Sequence, residues 1–140
     1  MTAFELDPRL AADSHWVANG PLCQVRLMDD SRFPWLVLVP RIADAIEWFD
    51  LDQSDQHVMF DEVSRAARLL REQHGCEKIN IGALGNIVRQ LHVHVVGRSP
   101  GDAAWPGPVW GSGEAQRFAA DALELRLAEL REQWARRGWT

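Results

Sequence analysis

The segment Gln90-Leu91-His92-Val93-His94-Val95-Val96 decides the reading of this 140-residue chain. Polar and apolar residues alternate along it, which is the period of a β-strand whose successive side chains point to opposite faces. Read in that way, Leu91, Val93 and Val95 turn into a core, while Gln90, His92 and His94 line the other face. Neighbours on one face of a strand stand about 7 Å apart. A face that only had to meet water would carry Thr, Lys, Glu or Ser, so two imidazoles beside an amide point toward a ligand or toward chemistry.

Three readings fit the imidazole pair. His92 and His94 can be internally satisfied strand residues, half of a zinc site, or a nucleophile with a phosphate-binding neighbour. Zinc takes three or four ligands, and the other histidines, His15, His57 and His74, are scattered with no second cluster. The segment just upstream separates the readings: Asn80-Ile81-Gly82-Ala83-Leu84-Gly85-Asn86-Ile87-Val88. Glycine lets backbone approach a ligand closely, and successive N–H groups in such a bend cradle an anion. The same glycines also serve an ordinary bulge or turn. Glycine bend and imidazole strand in tandem favour phosphate chemistry.

Working outward, Trp35-Leu36-Val37-Leu38-Val39 is a short, branched apolar run closed by Pro40, as expected of a central strand covered on both faces. Leu22 to Met28 alternates as a strand, and Asp29-Asp30-Ser31 makes a turn. A first long helix is predicted from Asp52 or Ser54 to Gly75. Its apolar face carries Met59, Val63, Ala66 and Leu70, and Glu62, Arg65, Arg68 and Glu72 cover the other. Cys76 to Ile81 is predicted as a strand, Gly82 to Asn86 as a connection and Ile87 to Val96 as the motif strand. Phe4 to Asn19 reads as a short helix or turn that Gly20-Pro21 ends. Gly101 to Gly113 is a loop rich in Pro, Gly and Trp. A last helix is expected from about Glu114 to Arg137 with the stripe Leu123, Leu127, Leu130 and Trp134. Strands with one helix between them and one after them give an α+β class with an antiparallel sheet.

Composition narrows the partners. Apolar residues make up 46% and charged residues 25%, the balance of a globular protein large enough for one core. A net charge of −5 argues against a non-specific nucleic-acid or anionic-membrane surface. A phosphate-bearing ligand must then be held by local N–H groups, His or a few Arg, such as Arg41 and Arg98 at strand ends. Cys23 and Cys76 form no metal-knuckle spacing and read as reduced thiols. The first ten residues lack a signal-peptide pattern, and no run approaches the roughly 20 apolar residues that span a bilayer. A cytoplasmic protein is expected.

The stretch Asn80-x-Gly82-x-x-Gly85-Asn86-x-Val88-x-Gln90-Leu91-His92-Val93-His94-Val95-Val96 resembles the signature of the histidine triad (HIT) family, His-φ-His-φ-His-φ-φ with φ apolar, preceded by a phosphate-holding turn. The order of elements agrees over roughly Leu22 to Arg98. The resemblance implies an antiparallel sheet of about five strands, one long helix packed on it and a C-terminal helix. It places a HIT-like domain at 1–104, with the Trp/Pro loop and last helix, 105–140, packed on the same domain. It also implies a homodimer.

Carried over residue by residue, the resemblance makes His92 the nucleophile that attacks the α-phosphorus of a nucleotide. His94 meets the phosphate or the leaving-group side, and Asn86 stands where the family commonly has Gln. Gly85 and Asn80 belong to the phosphate-holding turn, and Asp29, with Asp30, is the nearest acidic candidate for the ribose hydroxyls. Gln90 stands where the first His should be. A neutral amide orients a neighbour or donates to a phosphate oxygen but does not shuttle a proton near neutral pH. The implied activity is cleavage of a dinucleoside polyphosphate or nucleoside phosphoramidate through a nucleotidyl-histidine intermediate, with no metal or cofactor. The alternative is a nucleotide-binding module with little or no hydrolysis.

Overall fold

A computed structural model of the chain describes residues 3–140. Its elements are α1 (Pro8–Asp13), β1 (Ser14–Asn19), β2 (Cys23–Met28), β3 (Trp35–Pro40), α2 (Gln53–His74), β4 (Lys78–Gly82), β5 (Val93–Arg98) and α3 (Ala120–Arg136), with a single 3-10 turn at Trp48–Asp50. The strands form a five-stranded sheet in the order β1-β2-β3-β5-β4, and every neighbouring pair is antiparallel. The class is α+β, as the pattern of elements predicts.

Strand alternation explains how this sheet makes two different faces. Leu36 and Leu38 of β3, with Val93 and Val95 of β5, join the core beneath α2 together with Met59, Ala66, Leu69 and Leu70. Trp35, Val37 and Val39, with Val96, build a second, smaller cluster on the opposite face with Leu10, Phe33 and Val109. β3 is buried along its whole length because both faces are covered. Helix α2 has the predicted ends. The Asp52 carboxylate accepts the Asp55 N–H at 2.8 Å, and Gly75 closes the helix at φ 64°, a conformation that glycine enters without a Cβ penalty.

Four expectations are corrected. Phe4 to Asn19 is not one helix or turn: α1 is only six residues, and Ser14–Asn19 extends to pair with β2. The motif strand begins at Val93, so 87–92 carries no ladder and Gln90 does not share a strand face with His94. The last helix begins at Ala120, since the preceding segment is held extended against the β2–β3 turn. There Ser31 N–H donates to the Gln116 carbonyl, and the Phe118 N–H donates to the Asp29 carboxylate. Glu62 lies on the buried side of α2 and is 1% exposed. Its carboxylate accepts the N–H groups of Leu22 and Cys23 at 3.1 and 3.2 Å, and burial pushes its pKa up.

Helix α3 lies along β1, where Leu127, Leu130 and Trp134 enter the α2-side core and Leu123 packs at its edge. Trp139 packs against Trp134 with ring centroids 4.5 Å apart. The Thr140 carbonyl accepts the Asn19 N–H at 2.6 Å, which ties the last residue to the end of β1. Among the described residues no helix is long and apolar enough to cross a membrane.

Candidate active site

His94 sits in the middle of the sheet, paired across β5 with Val37 of β3 on one side and Gly82 of β4 on the other. Gly82 is required there. A Cβ at that position would come within 2.9 Å of the Trp110 indole, which covers the gap and meets the His94 ring edge-on at 5.6 Å. His92 lies one turn of the alternation earlier, just outside the ladder, with its ring centroid 4.9 Å from that of His94. Both imidazoles are buried.

The hydrogen-bond partners set the two rings in opposite tautomers. His92 Nδ1 lies 2.6 Å from the Gln90 carbonyl, and a carbonyl only accepts, so Nδ1 carries the proton and Nε2 the lone pair. The Trp35 indole N–H reaches His94 Nδ1 at 3.0 Å, and an indole only donates, so His94 carries its proton on Nε2. Burial, helped by the neighbouring His92, pulls the His94 pKa down to about 4. At neutral pH His94 is therefore an uncharged N–H donor. One ring offers an electron pair and the next offers a proton to hydrogen-bond with. That is a suitable pair for attacking phosphorus while holding a non-bridging oxygen.

His92 stands where two clefts meet. One, of about 610 Å³, is mostly apolar and is walled by Leu10, Met28, Trp35, Val109 and Trp110, with Asp30 and Arg32 at its polar side. The other, of about 290 Å³, is more polar and is bounded by Glu47, Trp48, Asn86, Arg89 and Gln90. Leu84, Gly85, Asn86 and His92 border both. Gly85, at φ 71°, adopts the left-handed conformation that lets the bend turn back beside His92.

Of the residues singled out from the sequence, His92, His94, Gly85 and Asn86 are brought together. Gln90 borders the polar cleft, but its amide is engaged away from the rings. Asn80 and Asp29 are not at the site. Asn80 Oδ1 accepts from Arg98 at 2.8 Å, and Arg98, only 2% exposed, also grips Asp102 at 2.8 and 3.0 Å. Asp29 binds His15, Arg117 and the Phe118 N–H, and so fastens the segment before α3. Arg41 donates to the Gly20 and Cys23 carbonyls. Trp35 is a site residue that the motif strand and its glycine bend do not point to. The alternation Trp35-Val37-Val39 places Trp35 on the face of His94, and that was the available signal. Among the described residues no group of three His, Cys, Asp or Glu side chains is arranged to hold a metal ion.

The model of the HIT domain matches residues 9–101 of the chain. Three solved structures are similar over nearly the whole length. A histidine triad protein from Sinorhizobium meliloti 1021 is 50% identical, with TM-score 0.89, covering 92% of this chain and 96% of that one. One from Bradyrhizobium japonicum is 44% identical, with TM-score 0.89, covering 94% and 98%. One from Marinobacter aquaeolei VT8 is 39% identical, with TM-score 0.90, covering 94% and 98%. No curated protein sequence matches the chain. A five-stranded sheet with an imidazole pair beside a glycine bend, matched by this domain model, defines the class: the chain belongs to the histidine triad (HIT) family.

Proposed function

We propose that the protein is a nucleotide hydrolase or transferase acting at the α-phosphate of a dinucleoside polyphosphate or nucleoside phosphoramidate. The observation that carries the reading is the opposed tautomer pair, a His92 ring with its lone pair on Nε2 and a His94 ring with its proton on Nε2, with ring centroids 4.9 Å apart. The apolar cleft suits a nucleoside, and the polar cleft suits the departing group.

In the first step His92 Nε2 forms a bond to the α-phosphorus as the bond to the leaving group breaks, and the leaving group departs with that electron pair. The ring becomes cationic, and its Nδ1–H bond to the Gln90 carbonyl strengthens with the charge. His94, Asn86 and the N–H groups of the Gly85 bend hold the non-bridging oxygens. In the second step water attacks phosphorus, the N–P bond breaks, and the electron pair returns to Nε2 while the water proton passes to solvent. The product is a mononucleotide. The scheme calls for no metal or cofactor.

The test is turnover by His92→Ala. With diadenosine polyphosphate as substrate, product formation is lost while the circular dichroism spectrum stays that of the parent. Parent-rate turnover by this variant contradicts the reading.

One observation favours a second reading, a nucleotide-binding module with little hydrolysis: both polar groups of Gln90 are already engaged, so it passes no proton to a leaving group. Calorimetric binding without product after long incubation selects that reading. A cytoplasmic homodimer is part of the proposal, supported by the family and by the unpaired outer edge of β4 with Ile81 55% exposed.

A further inference from the structure

The residue that departs from the triad is tied to the beginning of the chain. Gln90 Oε1 accepts the Asp7 N–H at 2.8 Å, and its Nε2 donates to the Glu5 carbonyl at 2.8 Å. The amide thus takes the carbonyl and the N–H that flank Leu6, as a residue of a parallel neighbouring strand would. A second fastening lies three residues upstream, where Arg9 Nη1 donates to the Ile87 carbonyl at 3.1 Å. Asp7 holds that arginine through bonds of 3.2 Å and accepts the Arg9 N–H at 2.8 Å. The segment 5–9 is therefore bound at both ends of 87–90, a stretch with no strand ladder to hold it.

That stretch contains the group on which His92 depends. The Gln90 carbonyl accepts His92 Nδ1–H, and the same trans peptide unit presents the Leu91 N–H in the opposite direction, where it donates to the Ala45 carbonyl at 2.9 Å. The unit is pinned at its N–H by Ala45 and at its α-carbon by the Gln90 amide. Released at either point, it can rotate and turn the carbonyl away from the ring.

We infer that Gln90 is a positioning residue, which with the segment Glu5–Arg9 clamps the Gln90–Leu91 peptide so that its carbonyl holds His92 in the Nδ1–H tautomer. The inference rests on His92 acting through Nε2 as proposed above, and it assigns the substituted triad position a role in orientation instead of proton transfer. It also explains why an amide suits the position. Its donor and acceptor leave one carbon and reach two main-chain groups of one passing segment, with no titration to disturb them.

The test is nitrogen-15 NMR of the imidazoles in the full chain, which separates Nδ1–H from Nε2–H rings without requiring activity. In the parent, His92 is an Nδ1–H ring and His94 an Nε2–H ring. In Gln90→Leu the His92 signals move toward a mixture of tautomers, whereas His94 keeps its state because Trp35 sets it. Arg9→Leu, which loosens the other fastening, moves His92 in the same direction and serves if Gln90→Leu does not fold. With diadenosine polyphosphate, kcat of Gln90→Leu falls about tenfold with little change in KM, the pattern of a misoriented nucleophile. A His92 ring that keeps its Nδ1–H state in both variants overturns the inference. A tautomer shift in a protein that turns over no nucleotide upholds the clamp and rejects the hydrolase reading.

Discussion

Trp35 reaches diagonally across the β3–β5 ladder, and its indole N–H ends on Nδ1 of His94 at 3.0 Å. This one bond joins the second face of the sheet to the candidate site, because it fixes which nitrogen of His94 carries the proton. Trp35→Phe removes the donor and leaves a buried acceptor without a partner. The expected loss is about 1–3 kcal/mol of stability in urea denaturation. His94→Gln, whose amide oxygen can still accept from Trp35, loses less. The two changes combined are non-additive, as expected for residues in direct contact.

The buried, neutral His94 makes stability depend on pH in a defined window. Its pKa is about 4 in the fold against an ordinary 6.5, so between those values the unfolded chain binds more protons than the native one. Stability contributed by this group is full above about 6.5 and falls as pH drops toward 4, by on the order of 3 kcal/mol. Denaturation midpoints measured from pH 7 to pH 4 for the parent and His94→Gln should differ in slope across this window, with the variant flatter.

A second acid-sensitive link lies away from the site. The Arg98 guanidinium beside Asp102 draws that carboxyl down to about 2. A depressed carboxylate stabilises the fold above its ordinary pKa near 3.8 and loses that contribution as pH falls through about 2. Asp102→Ala leaves the buried Arg98 without its ion-pair partner and costs about 3–5 kcal/mol at neutral pH. Equilibrium unfolding at pH 7 reads the loss directly, and an unchanged stability would refute this account of Arg98.

Gln90, which by the resemblance of its segment takes the first triad position, bears on the choice of substrate. Neither Gln90, with both polar groups engaged, nor the neutral His94 is an acid able to protonate a departing amine at pH 7. Leaving groups that depart as stable anions are favoured. The ratio of kcat/KM for diadenosine polyphosphate over adenosine phosphoramidate is expected to reach about a hundredfold. Equal values for the two substrates would mean that another group supplies the proton.

Much of the architecture could be read from local pattern. The Asp52 and Gly75 caps bound α2 as predicted, and the apolar run at Trp35–Val39 became a strand covered on both faces. His92, His94, Gly85 and Asn86 meet because the chain returns from the Gly85 bend through the unpaired stretch 87–92 into β5. What escaped was set by distant partners. Gln90 turns from the strand face because Glu5 and Asp7 offer main-chain groups to its amide. Asn80 and Asp29 are withdrawn from the site by Arg98 and Arg117, and no local pattern weighs those contacts. Residues 114–119, which continue a helical composition, are stretched out by their bonds to the β2–β3 turn. Trp110 enters the site only because Gly82 leaves room for its ring.

The central claim is that His92 Nε2 forms a covalent bond to the α-phosphorus. Intact-protein mass spectrometry within seconds of mixing with diadenosine polyphosphate, followed by peptide mapping, tests it most directly. The account predicts a transient adenylyl adduct that maps to His92 and is absent from His92→Ala. Product formed at full rate with no adduct on His92, or an adduct that maps to another residue, would contradict it.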